Sequence, residues 1–275
     1  MMRLVVERHP AYRIHSKLWN FRFPQVVRSS SIAPDSAVTK SDQQLQIGAD
    51  EYLRAMYEVA YGELAKYATL PSGPLVEIGA GPGLARTLGH KWWRSDISTD
   101  CAQDLYASAL ALPHPANTLA GLILKDAWHH IPDIEAFLIE AHRVLVPNGN
   151  VVVFDPYWGA LARFVYRFLH QERWDSTTPH WNFDSRDPWD SNQALSFIML
   201  RRDRLKFEQQ WGDRFTIIEH APVIGPSFLL SGGVSRRTAV PGSLLKRLLD
   251  WEQRQGAWLN HLRFFHVFSL QKKAT

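Results

Sequence analysis

Two carboxylates bracket a glycine loop. In LVEIGAGPGLARTL, residues 75–88, a short apolar strand runs into Gly79, Gly81 and Gly83, and a helix-like stretch follows. Glu77 interrupts the strand just ahead of the loop. Asp96 lies nineteen residues further on, at the end of KWWRSD. Glycines let a backbone approach a ligand closely, and the open N–H groups of a helix start attract a carboxylate or phosphate. The lysine and serine or threonine of a triphosphate loop are missing. In the dinucleotide fingerprint a third glycine falls at position 84, where Leu84 stands, so the match is partial. Glu77 would repel a pyrophosphate and suits an ammonium group, and Asp96 can accept both hydroxyls of a ribose. Taken singly, each carboxylate also reads as a cap on a loop or turn. Together they describe a ligand that joins a ribose to an amino-acid terminus, as S-adenosylmethionine does.

These groups need a sheet edge to hold them. Leu75–Ile78 reads as strand one, Leu84–Leu88 as a short helix and KWWRSD as strand two. Strand three is expected within Asp104–Leu110, so near to Asp96 that the crossover is clipped to a loop or single turn. TLAGLILKDA gives a continuously apolar strand four, as in a doubly covered parallel sheet. Asp133 is expected to cap a helix over 133–145 with Ile134, Phe137, Leu138, Ala141 and Leu145 as its apolar stripe. PNG then turns into strand five, Asn150–Asp155. The alternation argues for an open α/β sheet. Ahead of it, residues 1–45 carry few regular signals, and helical spacing runs from Gly48 to Tyr67. After Pro156 come a helical stretch (158–170), a polar loop (171–192), a helix (192–211), a strand (215–223), a helix (242–254) and a final strand (262–273). The chain thus divides into an arm and helix covering the pocket (1–70), a cofactor-binding half (71–157), an inserted cover (158–213) and sheet-completing strands (214–275).

VEIGAGPG, SDIS, SALALPHPANTLAGLILKDAWHHIPD and AHRVLVPNGNVVVFDP follow one another in an order that resembles the class I S-adenosylmethionine-dependent methyltransferases, in particular their bacterial methyltransferase-domain (type 11-like) group. The resemblance covers residues 74–157, with a weaker echo in the final strand. It implies a Rossmann-like seven-stranded sheet in the order 3-2-1-4-5-7-6, the last strand antiparallel, with helices on both faces. It also implies S-adenosylmethionine over the ends of strands one and two. The residues it assigns to that cofactor are Glu77, Gly79, Ala80, Gly81, Gly83, Asp96, Ile97, Ser108, Ala109, Leu110, Lys125 and Asp126. Ser108 stands where the family carries an acid, Leu119 and Ala120 replace its phenylalanine–aspartate pair, and PNG replaces its double glycine.

Methyl transfer from a sulfonium is an in-line displacement, so the protein must chiefly align the nucleophile and remove its proton. KDAWHH follows strand four at the ligand edge. His129 and His130 are the candidate catalytic residues, because histidine is a base near neutrality. The other reading makes them structural or part of the cofactor shelf. No metal site is expected: spacing fixes no ligand beyond the pair and Asp126, and the single cysteine, Cys101, excludes a thiolate cluster. Asp155 either caps a turn or faces the substrate. Trp158, Trp174, Trp181 and Trp189 form an aromatic lid or fill a core between helices.

Composition narrows the partners. The 275 residues are 45% hydrophobic, with eleven tryptophans and a net charge of +4. Basic residues are spread out, which argues against nucleic acid. No apolar run spans a membrane and Met1–Pro10 is no secretory signal, so a cytoplasmic protein is expected. Arg13, Lys17, Trp19, Phe21, Arg22 and Phe23 read either as an arm over the pocket or as a peripheral membrane contact. The expected partner is a small molecule, with an apolar, aromatic or lipid-linked body. Two other classes stay open: a catalytically degenerate binding protein with this fold, and a nicotinamide-dependent oxidoreductase, against which Leu84 and Glu77 speak. Nothing specifies an oligomer.

Overall fold

The structure is a computed structural model that describes residues 40–68, 71–98, 103–170, 172–185, 190–233 and 238–274. The basic and aromatic arm residues from Arg13 to Phe23, Cys101 and Trp189 lie outside the described residues.

The first helices are α1 (Lys40–Ala49) and α2 (Glu51–Tyr67). They replace the single helix expected from Gly48. Asp50 divides them: its backbone is extended and its side chain accepts the Leu53 N–H at 2.9 Å, so it caps α2. Next come β1 (Leu75–Ile78), α3 (Leu84–Thr87) and β2 (Trp93–Asp96). β3 is only Leu105–Tyr106, shorter than the expected Asp104–Leu110. β2 ends at Asp96, leaving later residues without a ladder partner, and the chain turns instead at Ser108–Ala111.

β4 (Leu119–Lys125) is buried along its whole length. A 3₁₀ turn at Trp128–His130 leads to α4 (Ile134–Val144), capped by Asp133 through the Ala136 N–H at 2.9 Å. Ile134, Phe137, Leu138, Ala141 and Val144 are its buried face. Leu145 already belongs to β5 (Leu145–Pro156). Pro147 keeps its predecessor out of helical geometry, so the strand begins before the PNG turn and not after it.

α5 (Ala160–Phe168) is followed by irregular chain, then the single turn α6 (Leu195–Phe197), a π-helical stretch (Ile198–Arg202) and α7 (Arg204–Trp211). β6 (Phe215–Val223), α8 (Pro226–Ser231), α9 (Gly242–Gln253), a 3₁₀ stretch at Ala257–Leu262 and β7 (Phe265–Lys272) complete the order.

The sheet order is β3-β2-β1-β4-β5-β7-β6. β7 runs antiparallel to both β5 and β6, and the other pairings are parallel. One apolar layer packs α4 and the α6–α7 region on β4, β5 and β7, with Trp128 and Trp181 at its centre. The other packs α2, α5 and α9 on the opposite face. The Lys272 Nζ closes the sheet at its far end, donating at 2.7 Å to Asn117 Oδ1 and to the carbonyls of His142 and Leu145. No helix among the described residues is long and apolar enough to cross a membrane.

Candidate active site

β1 and β2 run side by side, with Ile78 opposite Ser95, so the loop after β1 meets the carboxylate at the end of β2. Gly79, Gly81 and Gly83 take φ angles of 65°, 51° and 72°, a region costly for residues with a Cβ. A Cβ on Gly79 would lie 2.9 Å from Ala127 Cβ, and one on Gly83 2.7 Å from Arg94 Nη1. The loop is thus pressed onto the exits of β2 and β4. Ala80 is buried beneath it and donates to the Ser95 carbonyl at 3.0 Å. Asp96 accepts the Gly81 N–H at Oδ2 and the Ser98 N–H at Oδ1, each at 2.8 Å. That holds the carboxylate across the mouth of the loop. Ile97 is 46% exposed beside it, and Tyr106, also exposed, ends β3. Ser108 Oγ accepts the Leu110 N–H at 3.2 Å, while Ala109 and Leu110 pack against the core.

Glu77 is buried under α2. The Tyr61 hydroxyl donates to its Oε1 at 2.6 Å, and Oε2 has no partner. Burial pushes the carboxyl up to about 7, against the Tyr61 hydrogen bond and the charges of Lys125 and Arg94. Lys125 Nζ pairs with Asp126 and sits 4.1 Å from the centre of the Tyr57 ring. Burial would lower this ammonium, but Asp126, Tyr57 and Glu77 hold it above its ordinary value. A buried carboxylate oxygen without a donor is costly, and a cationic ligand group would relieve it. The residues present would fit S-adenosylmethionine: Glu77 could meet an ammonium, Asp96 the hydroxyls of a ribose and exposed Ile97 an apolar face of a base.

A second cluster forms where the 3₁₀ turn after β4 meets the inserted segment. His129 Nδ1 lies 2.7 Å from Asp155 Oδ1, and Asp155 Oδ2 accepts the Ser196 hydroxyl at 2.6 Å. His129 Nε2 lies 3.3 Å from Glu172 Oε2. Burial alone would lower the His129 pKa, but the two carboxylates overcome it and raise it to about 10. Burial and the charge of His129 bring His130 down to about 4. For Glu172, burial acts upward, yet His129 holds it well below the usual carboxylate range. Asp155, fully buried, is neither a simple turn cap nor exposed to a ligand: it joins β5 to the cover segment.

Glu172 lies in the stretch read as a polar loop, and Gln193 and Ser196 at the start of the stretch read as a helix; nothing in either stretch pointed them toward His129 or Asp155. Tyr57 belongs to the helical spacing read over residues 48–67, whereas Tyr61 lay outside the apolar stripe of that spacing and carried no signal. Of the tryptophans, Trp181 is core, with its Nε1 donating to Asp203 Oδ2 at 2.9 Å. Trp174 stacks on Tyr166 at 10° between ring planes, and Trp158 lies under the Arg201 guanidinium. The clefts of about 520 Å³ beside Arg54 and His90 and of about 300 Å³ beside Pro71 and Trp92 are lined by none of Glu77, Asp96 or His129.

Residues 76–153 match the family profile described as a methyltransferase domain. No curated protein matches the chain. Among solved structures, the YcgJ protein of Bacillus subtilis is 14% identical, covering 79% of this chain and 99% of its own at a TM-score of 0.43. A possible histamine N-methyltransferase of Thermotoga maritima is 17% identical, covering 84% and 98% at 0.46. A geranyl diphosphate C-methyltransferase of Streptomyces coelicolor A3(2) is 12% identical, covering 98% and 100% at 0.42.

Proposed function

We infer that this chain, whose residues 76–153 match a methyltransferase domain, is a class I S-adenosylmethionine-dependent methyltransferase that passes a methyl group to a small-molecule acceptor. One observation carries the reading: Glu77 is buried with a partnerless oxygen beside a loop of left-handed glycines, and Asp96 is braced across that loop's mouth. The bound cofactor supplies an activated methyl for in-line displacement. Glu77, Gly79, Ala80, Gly81, Gly83, Asp96 and Ile97 hold it. Ser108, Ala109 and Leu110 border its base, and Lys125 and Asp126 close the site toward the acceptor. Fixing donor and acceptor in line removes much of the entropic barrier. His129 and His130 belong to the acceptor end; of the two, His130, kept neutral by burial and by the charge of His129, is the one that can take the proton released by the acceptor.

Tyr157 and Trp158 follow β5, their ring centres 4.8 Å apart. They suit an acceptor with an aromatic or apolar body, a lipid-linked one included.

Calorimetric titration with S-adenosylhomocysteine, with NADH alongside and Asp96→Ala as control, tests the reading. Micromolar binding of the former that is lost in Asp96→Ala is expected. Binding of NADH instead would overturn it. Binding of S-adenosylhomocysteine with no methyl incorporated into any fraction of a small-molecule extract would favour a binding protein over an enzyme.

A further inference from the structure

His129, His130 and Glu172 each bring one ligand-type atom into a cluster whose members lie within 4.8 Å of one another. Two come from the turn after β4 and one from the irregular chain after α5. Both imidazoles are held from behind. His129 Nδ1 lies 2.7 Å from Asp155 Oδ1, and His130 Nδ1 lies 3.2 Å from the Asp190 carbonyl. A carboxylate and a carbonyl can only accept, so each Nδ1 carries a proton and faces away from the cluster, and each Nε2 is the nitrogen offered to an ion; at His129 the ion takes the place of the Nε2 proton that faces Glu172, which is released to solvent. Metal-binding histidines are oriented by this kind of backing.

The front of the cluster is equally organised. His129 Nε2 and Glu172 Oε2 are 3.3 Å apart. Bonds of about 2.0–2.2 Å to a tetrahedral ion place ligand atoms roughly 3.3–3.6 Å from each other, so this pair already has the spacing. The Gln193 amide donates to Glu172 and sets its orientation, and Gln193 Oε1 is buried with no partner. His130 and Glu172 are only partly buried, which leaves an approach from solvent.

We propose that His129 Nε2, His130 Nε2 and a Glu172 oxygen form a binding site for a divalent transition-metal ion, with an open fourth position. Two imidazoles and one carboxylate favour zinc and its neighbours over magnesium or calcium, which prefer all-oxygen sets. The site stands independently of the methyl-transfer reading, because its test measures the ion and not the reaction.

The test uses the full chain stripped with chelator and titrated calorimetrically with zinc, and in parallel with cobalt(II) followed by visible absorption. One equivalent is expected to bind, with a four- or five-coordinate cobalt spectrum. Glu172→Gln and His130→Ala should abolish the spectrum. Gln193→Ala, behind the ligand, should weaken binding roughly 10–100-fold. His130 is only partly buried, and near-UV circular dichroism checks that its variant keeps the fold. No heat and no cobalt spectrum would overturn the proposal. So would binding that is unchanged in both ligand variants, since the ion would then lie elsewhere.

Discussion

The Tyr61 hydroxyl lies 2.6 Å from Glu77 Oε1, reaching from α2 onto β1, while the other oxygen of the same carboxylate has no donor. The fold therefore supplies half of what this buried group needs. The protein carries the cost, and a cationic ligand bound there would remove it.

This cost depends on pH. The folded state raises the Glu77 carboxyl to about 7. A carboxyl raised on folding adds stability below its unfolded value and loses it as pH rises through its folded one, here from the ordinary carboxyl range up to about 7. The loss is roughly 3 kcal/mol. Urea unfolding of Glu77→Gln across this window should be flatter than that of the wild type. Parallel curves would assign the dependence to another group.

Cofactor affinity should run the other way. An ammonium group binds the ionised carboxylate, so affinity for S-adenosylhomocysteine should rise as Glu77 ionises near pH 7. In Glu77→Gln it should be weaker and level. Titrations on either side of that pH measure both effects, and an equal slope in the variant would remove Glu77 from the ammonium site.

Tyr61→Phe should move the midpoint of both curves upward, because the hydroxyl donates to the charged form. The Tyr61 ring is stacked between Tyr57 and His90, so the helix keeps its packing. An unmoved midpoint would mean that the hydrogen bond does not tune the carboxyl.

Gly79→Ala should cost about 1–3 kcal/mol. It forces a Cβ into a left-handed backbone at φ 65° and 2.9 Å from Ala127 Cβ, which has no rotamer to escape into. Thermal melting and titration should both register the loss. A variant with wild-type affinity would show that the loop reaches its ligand by another path.

Asp155→Asn leaves His129 buried without its backing charge. Removing one member of a buried ion pair costs about 3–5 kcal/mol, and denaturant unfolding should detect it. Ser196→Ala, which removes a single hydrogen bond from the same carboxylate, should cost about 1–2 kcal/mol. Equal losses in the two variants would mean that the hydroxyl, not the imidazolium, is what Asp155 serves.

The carboxylate-and-glycine edge of β1 was legible because it is local. Glu77 stands out in an apolar strand, the glycines are contiguous with it, and Asp133 precedes an amphipathic stripe. β4 and β7 were legible as apolar runs. The end of β3 was not, because strand length depends on where the neighbouring strand stops. Asp50 as a helix boundary was hidden in an unbroken helical spacing. The approach of Glu172, Gln193 and Ser196 to His129 and Asp155 was invisible for a different reason. Glu172 and Gln193 meet His129, and Ser196 meets Asp155, across 41 to 64 positions of chain, and a local period of 2 or 3.6 says nothing about contacts at that range.

β7 lies between β5 and β6, although β6 precedes it in the chain. During synthesis β6 therefore has no edge to join until β7 has emerged, and α8 and α9 wait with it. The same late segment delivers the Lys272 ammonium that satisfies the carbonyls of His142 and Leu145. Residues 71–157 leave the ribosome well before β7, yet their β5 edge stays open to intermolecular strand pairing until β7 arrives. Ribosome-stalled chains ending before Phe265 should therefore depend on chaperones in a way that chains extending past Lys272 do not.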